Sequence, residues 1–145
     1  METNWKNRIT PDLIKILLPG HIFGFGSNLS GRHGKGAAKT AMGWGAIYGQ
    51  AAGLQGRTYG IPTKDRSVTR TLSLVEIKPY VDDFIEFAKN HPELTFLMTK
   101  IGTGLANRTI EEISLLFIEA KYIQNIFLPI EFWLIINGLP DSYKV

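Results

Sequence analysis

Residues 21–41 read HIFGFGSNLSGRHGKGAAKTA. The stretch divides into a short apolar strand, a glycine-rich loop and the start of a helix. Ile22, Phe23 and Phe25 are the strand's apolar residues. Gly26, Gly31, Gly34 and Gly36 punctuate the loop, among Ser27, Asn28, Ser30, Arg32, His33 and Lys35. Ala37, Ala38 and Ala41 suit a helix that packs close to its neighbours. Glycine permits positive φ and close backbone approach, and backbone N–H groups in turns and at helix starts attract anions. The expectation is a loop that binds a phosphorylated small molecule, a nucleotide first of all. The alternative is a structural loop whose glycines only solve a turn. The spacing is neither a Walker A loop nor a GxGxxG followed by an acidic residue.

Downstream, LTFLM at residues 94–98 reads as a buried strand that runs into a second glycine loop, TKIGTGLAN at 99–107. Thr109 then caps a helix, with Glu112 placed for a capping box and Ile110, Ile113, Leu116, Phe117 and Ala120 as its apolar stripe. Both glycine loops therefore follow a strand and precede a helix. In α/β sheets ligands sit beyond the carboxyl ends of the strands. If the two strands are parallel, both loops project at one end and form two walls of one cleft.

The remaining chain fills in an α/β pattern. Residues 1–8 read as a loosely held arm. Thr10 and Pro11 predict a short helix through Leu13, Ile14, Leu17 and Leu18, ended by Pro19-Gly20. Residues 46–48 are a candidate edge strand, and RTYGIP at 57–62 a second main strand, followed by a polar loop at 63–70. Residues 71–77 are open between a strand and a helical turn. A helix is expected near Pro79, because Val81, Phe84, Ile85 and Ala88 recur at helical spacing. Residues 125–128 suggest a last strand. Residues 132–136 are apolar and fit either a strand or a short helix.

The chain has 145 residues, enough for one domain with its own core. Hydrophobic residues are 44% and charged residues 20%, the balance of an ordinary globular protein. A net charge of +3 is too mild to argue for nucleic acid. The cations Arg32, His33, Lys35, Arg57, Lys64 and Arg66 nevertheless fall in or beside predicted loops, which suits an anionic ligand. There is no cysteine, and three histidines lack zinc-ligand spacing, so no metal or cofactor is expected. The longest apolar run is too short for a bilayer and carries Pro129 and Glu131. No signal-peptide pattern opens the chain, and a cytoplasmic protein is expected, with no membrane or nucleic-acid partner.

In this scheme the ligand-binding residues are Gly26, Ser27, Asn28, Gly31, Arg32, His33, Gly34, Lys35 and Gly36, faced by Ile101, Gly102, Thr103, Gly104 and Leu105. Asn28 offers an amide donor and an acceptor for ribose hydroxyls or a water. His33 is a base, a phosphate cation or a loop-shaping hydrogen-bond partner. Asn28 and His33 are the candidates for any catalysis. Tyr59, Thr63 and Lys64 are further candidates for the cleft, with Tyr59 alternatively in the core. No pair of carboxylates accompanies either loop, which counts against a two-carboxylate hydrolase.

Taken together, the two loops resemble those of macro domains, in which an Asn-Ala-Ala-Asn strand end leads into a glycine run and an alanine-rich helix. The chain is also similar to a family of small proteins common in phages and prophages, which carry FGSNxxGxHGxGAA, GLQGxxYxIPT and IGxGLA blocks. These blocks cover most of the chain, from about Ile22 to Ala106. The macro resemblance implies a three-layer α/β/α domain with a mixed central sheet, binding ADP-ribose or a related nucleotide. It implies that Asn28 approaches the distal ribose, that residues 31–34 line the phosphate and ribose side, and that residues 101–105 cover the diphosphate. The chain departs from the pattern in two places: Phe-Gly-Ser-Asn replaces Asn-Ala-Ala-Asn, and no acidic residue matches the one that holds adenine. The phage context suggests a protein that sequesters or removes a nucleotide immune signal. A hydrolase of an ADP-ribose derivative and a non-catalytic protein-interaction module are the alternatives.

Overall fold

The computed structural model describes residues 4–104 and 106–139. Its sheet has five strands: β1 (His21–Asn28), β2 (Gly53–Gln55), β3 (Thr58–Lys64), β4 (Thr95–Met98) and β5 (Ile126–Phe127). Their order is β2-β3-β1-β4-β5. β1 pairs in parallel with both β3 and β4, β4 with β5 in parallel, and β2 runs antiparallel to β3. The protein is therefore a mixed α/β fold centred on β1.

Alternation along β1 separates two cores. Ile22 shares one face with Tyr59, Ile61, Phe96 and Met98. Helix α2 (Leu74–Lys89) covers that face with Ile77, Val81, Phe84 and Ala88, all fully buried. Helices α3 (Ile110–Ser114) and α4 (Ile130–Asn137) complete the same cluster through Ile113, Phe132 and Trp133. Phe23 and Phe25 point to the opposite face. There they meet Ala38 and Ala41 of α1 (Gly36–Met42), with Ile14, Leu17 and Trp44 at the margin. Small alanines let α1 lie close to those two phenyl rings. Burial holds the Tyr59 phenol in its neutral form, raising its pKa to about 12, and Asp83 adds to the effect.

Several elements differ from the sequence expectation. Residues 10–18 form no helix. Ile9 bridges Leu128, and the Thr10 N–H donates to the Leu128 carbonyl at 2.9 Å, which commits the start of this segment to pairing with residue 128. Residues 46–48 form no strand, and the edge strand is β2 instead. Residues 4–8 are not a loose arm: the buried Arg8 guanidinium donates to the carbonyls of Ala120, Lys121, Ile123 and Ile126. Burial lowers the Arg8 pKa to about 10. Residues 1–3, and the polar tail from residue 140, lie outside the described residues.

Helix α2 starts one turn earlier than Pro79 suggests. Ser73 caps it, and Glu76 closes a capping box. Pro79 thus sits inside the helix, at the cost of one backbone hydrogen bond. Thr109 and Glu112 form the expected box at α3. After α3 the chain tightens into a 3₁₀ segment, Leu115–Tyr122, so the predicted stripe spans two kinds of helix. The apolar residues 132–136 belong to a helix.

Candidate functional site

The first glycine loop leaves β1 at Asn28, and Asn28 shapes it. Its Oδ1 accepts from Ser30 Oγ at 2.7 Å and from the Arg32 N–H at 2.9 Å, while its Nδ2 donates to the Arg32 carbonyl at 2.8 Å. Both acceptor positions and one amide hydrogen are thereby used inside the loop. Gly31 has φ +72°, and a Cβ there would lie 2.4 Å from the Gly49 carbonyl carbon. The Gly49 N–H donates to the Gly31 carbonyl at 2.8 Å, latching the loop to residues 45–50. Gly31 is thus a glycine for structural reasons. Gly34 is not, because its φ is not positive and a Cβ would meet nothing within 4 Å.

His33 turns under the loop. It is 3% exposed, and its Nε2–H donates to Gln55 Oε1 at 3.2 Å. The same oxygen accepts from the Ile47 N–H at 2.8 Å, so it is the carbonyl end of the amide. Phe25 stands edge-on to the imidazole at 5.2 Å, and Nδ1 is buried without a hydrogen-bond partner. His33 therefore ties the loop to β2 and does not line the adjacent cavity.

That cavity, of about 360 Å³, opens at the carboxyl ends of β1 and β3. Gly26, Ser27, Asn28, Arg32, Gly34 and Lys35 form the side contributed by the first loop. Thr63, Lys64, Val68, Tyr48, Ala38 and Ala106 complete it. Arg32, Lys35 and Lys64 have no ion-pair partner among the described residues. No Asp or Glu among the described residues lines the cavity. The N–H groups of His33, Gly34 and Lys35 likewise have no acceptor among the described residues. Cations and free amides with no competing carboxylate make an anion-binding surface. Helix α1 has only seven residues, so its dipole is a minor part of that field.

The second loop does lie beside the first, as the parallel pairing of β1 and β4 requires. A Cβ on Gly26 would fall 3.4 Å from Ile101 Cβ and 3.5 Å from the Gly102 nitrogen. The loop's role there is packing. Ile101 is buried in the core, Gly102 (φ +73°) abuts Ile113, and Thr103 Oγ1 donates to the Lys100 carbonyl. Gly104 faces open space. None of residues 101–104 lines the cavity, and Leu105 lies outside the described residues. Lys100 is held by Glu131 at 2.6 Å, and that contact raises its pKa. Gly36 has φ +57° and opens α1 next to the cavity.

Of the weaker candidates, Thr63 and Lys64 reach the cavity and Tyr59 is core. The sequence reading missed Ala38, Tyr48, Val68 and Ala106. The signal for Val68 lies in its backbone: φ +61° on a β-branched residue, an uncommon conformation that marks the turn between Lys64 and Thr71. Asp65 holds that turn by accepting from Ser67, Thr69 and Arg70. A larger depression, about 550 Å³, lies at the other end of the sheet around Arg8, Thr95 and Asn125. There the Arg8 guanidinium is already spent on backbone carbonyls.

Fold and site define an α/β protein with a basic cavity at the carboxyl end of its central strands. No family model, no curated protein and no solved structure matches the chain. Among the described residues no helix is long and apolar enough to cross a membrane.

Proposed function

We propose that this is a macro-like nucleotide-binding protein of the cytoplasm, which holds an ADP-ribose-like ligand in the cavity between Arg32, Lys35 and Lys64. The observation that carries this reading is the set of three cations and the Gly34 and Lys35 N–H groups around one cavity, all without a partner, and with no carboxylate in the lining, among the described residues. A diphosphate satisfies both sets at once. The cavity volume of about 360 Å³ is within the range of small-molecule sites. Gly34, a glycine without a packing or conformational need, leaves room for the ligand to touch backbone.

Holding is favoured over cleavage. Asn28 is engaged within its own loop, and His33 is buried beneath it. Neither is free to activate a water in the present arrangement. A protein that sequesters a nucleotide signal, in the setting of phage and host, fits such a site. The test is to purify the protein without added ligand, denature it by heat and read the released small molecules by mass spectrometry. A ribose-containing diphosphate released intact is the expected result. An empty protein that also gives no calorimetric heat with ADP-ribose, NAD or cyclic ADP-ribose would overturn the reading.

A further inference from the structure

Tyr48 lines the cavity, yet its side chain is 61% exposed. Apolar rings are normally covered, and a tyrosine left open at a cavity mouth offers a large flat face at low entropic cost. The backbone on both sides of it is fastened. The Ile47 N–H donates to Gln55 Oε1 at 2.8 Å, and the Gly49 N–H donates to Gly31 O at 2.8 Å. His33 lies against the Tyr48 ring with centroids 6.3 Å apart and planes at 72°, and most of the tyrosine remains exposed. The exposed ring is thus presented by a rigid support beside Arg32, Lys35 and Lys64.

The neutral polar side chains Ser27, Asn28 and Thr63 are engaged within the protein, with one Asn28 amide hydrogen left over. Ser27 Oγ donates to the Ala51 carbonyl, Thr63 Oγ1 to the Ser27 carbonyl, and Asn28 is closed on Arg32. No carboxylate among the described residues is present to accept from an exocyclic amine. A base entering this cavity therefore meets an exposed aromatic ring and no carboxylate, among the described residues, to read its edge.

We infer that Tyr48 is the platform on which the ligand's base stacks, and that the site selects for a planar ring attached to phosphates while discriminating little among bases. Stacking on an aromatic side chain is sequence-tolerant because every base has a π-face, and contributes about 1–3 kcal/mol per base. The inference rests on the phosphate-binding reading above and adds the second half of the ligand to it.

Calorimetry with pyrophosphate, ADP, GDP and CDP separates the two. Wild-type protein should bind ADP about tenfold more tightly than pyrophosphate, the gain expected of one stacked base. ADP, GDP and CDP should agree within about fivefold, since stacking varies less among bases than edge recognition does. Tyr48→Ala should bring ADP down to the level of pyrophosphate and leave pyrophosphate itself unchanged, whereas Tyr48→Phe should keep the preference. The ring is exposed, so the melting temperature of Tyr48→Ala should match wild type. Pyrophosphate binding with ADP affinity unaffected by Tyr48→Ala would overturn the stacking inference alone. So would strong preference for one base. Absence of binding by both pyrophosphate and ADP would overturn the inference together with the reading it rests on.

Discussion

Asn28 and Arg32 close a ring of two hydrogen bonds: the Arg32 N–H donates to Asn28 Oδ1 at 2.9 Å, and Asn28 Nδ2 donates to the Arg32 carbonyl at 2.8 Å. This clasp folds the loop back so that the Arg32 side chain is exposed at the cavity while His33 is buried below. Asn28 thus bears on the cavity through the loop it shapes. Removing the side chain leaves the Arg32 N–H and carbonyl without their partner. Asn28→Ala should cost about 1–3 kcal/mol of stability, the range for an orphaned polar pair. Denaturant unfolding measures that loss, and ligand affinity should fall with it. An Asn28→Ala protein of wild-type stability that has lost only binding would mean that the amide contacts the ligand directly.

Gly31 and Gly34 should respond in opposite ways to the same change. At Gly31 an alanine meets backbone at 2.4 Å in a φ +72° conformation. Gly31→Ala should destabilise by at least about 2 kcal/mol, from left-handed strain plus the clash. Gly34→Ala adds a methyl group to open space, so its stability should stay within about 0.5 kcal/mol of wild type. Its affinity for a diphosphate ligand should drop about tenfold, or about 1.4 kcal/mol. Thermal melts paired with calorimetry on both variants check the contrast. A folded Gly34→Val protein with unchanged affinity would remove the loop from the site.

Arg8 has no carboxylate partner among the described residues but ties four backbone carbonyls around the end of the 3₁₀ segment and β5. Its guanidinium also lies over the Trp133 ring at 4.7 Å. Arg8→Ala should cost about 3 kcal/mol or more, because several buried carbonyls lose a charged donor. Arg8→Lys should recover only part, since an ammonium cannot span the same fork. Chemical denaturation of the two variants measures this. Equal stability of Arg8→Ala and wild type would refute the tether.

Acid sensitivity should map to the start of α2. Hydrogen bonds from Arg70, then from the Ser73 N–H, lower the Glu76 pKa from 4.5 to about 2. The folded-state value is depressed, so the stabilisation is fully present above the unfolded value and is lost as pH falls from 4.5 toward 2. Glu76→Gln should flatten that part of the stability profile. Ser73→Ala, which removes the cap, should cost about 1 kcal/mol at neutral pH. Unfolding curves across this pH range test both, and a Glu76→Gln profile that superimposes on wild type would contradict the assignment.

The elements legible in the sequence are those set by local pattern. β1, α1, β4 and the Thr109–Glu112 box follow from apolar alternation, small-residue runs and capping chemistry. Tertiary contacts decided the rest. Residues 10–18 carry a helix-start pattern, but Ile9 and Thr10 are paired with Leu128 and the segment forms no helix. Pro79 pointed to a helix start, and the Ser73–Glu76 box six residues earlier outweighed it. At the site, the first glycine loop announced itself by composition. Tyr48 and Val68 carry no such signature; they reach the cavity only because the latch at Gly31–Gly49 and the turn after Lys64 bring them there. The second glycine loop had the composition of a ligand loop, and Ile101 and Gly102 spend it on packing against Gly26 and Ile113.

The central claim is that Arg32, Lys35 and Lys64 together hold the phosphates of a nucleotide. Calorimetric titration of ADP-ribose into wild type and into Arg32→Ala, Lys35→Ala and Lys64→Ala, at low and high salt, tests it most directly. All three side chains are at the surface or partly exposed, so the variants should fold normally. Saturable one-to-one binding that weakens with salt is expected, with about a five- to twentyfold loss of affinity in each variant, the range of a charge-assisted hydrogen bond of about 1–2 kcal/mol. Binding of equal strength in wild type and all three variants, or no binding to wild type at either salt concentration, would contradict it.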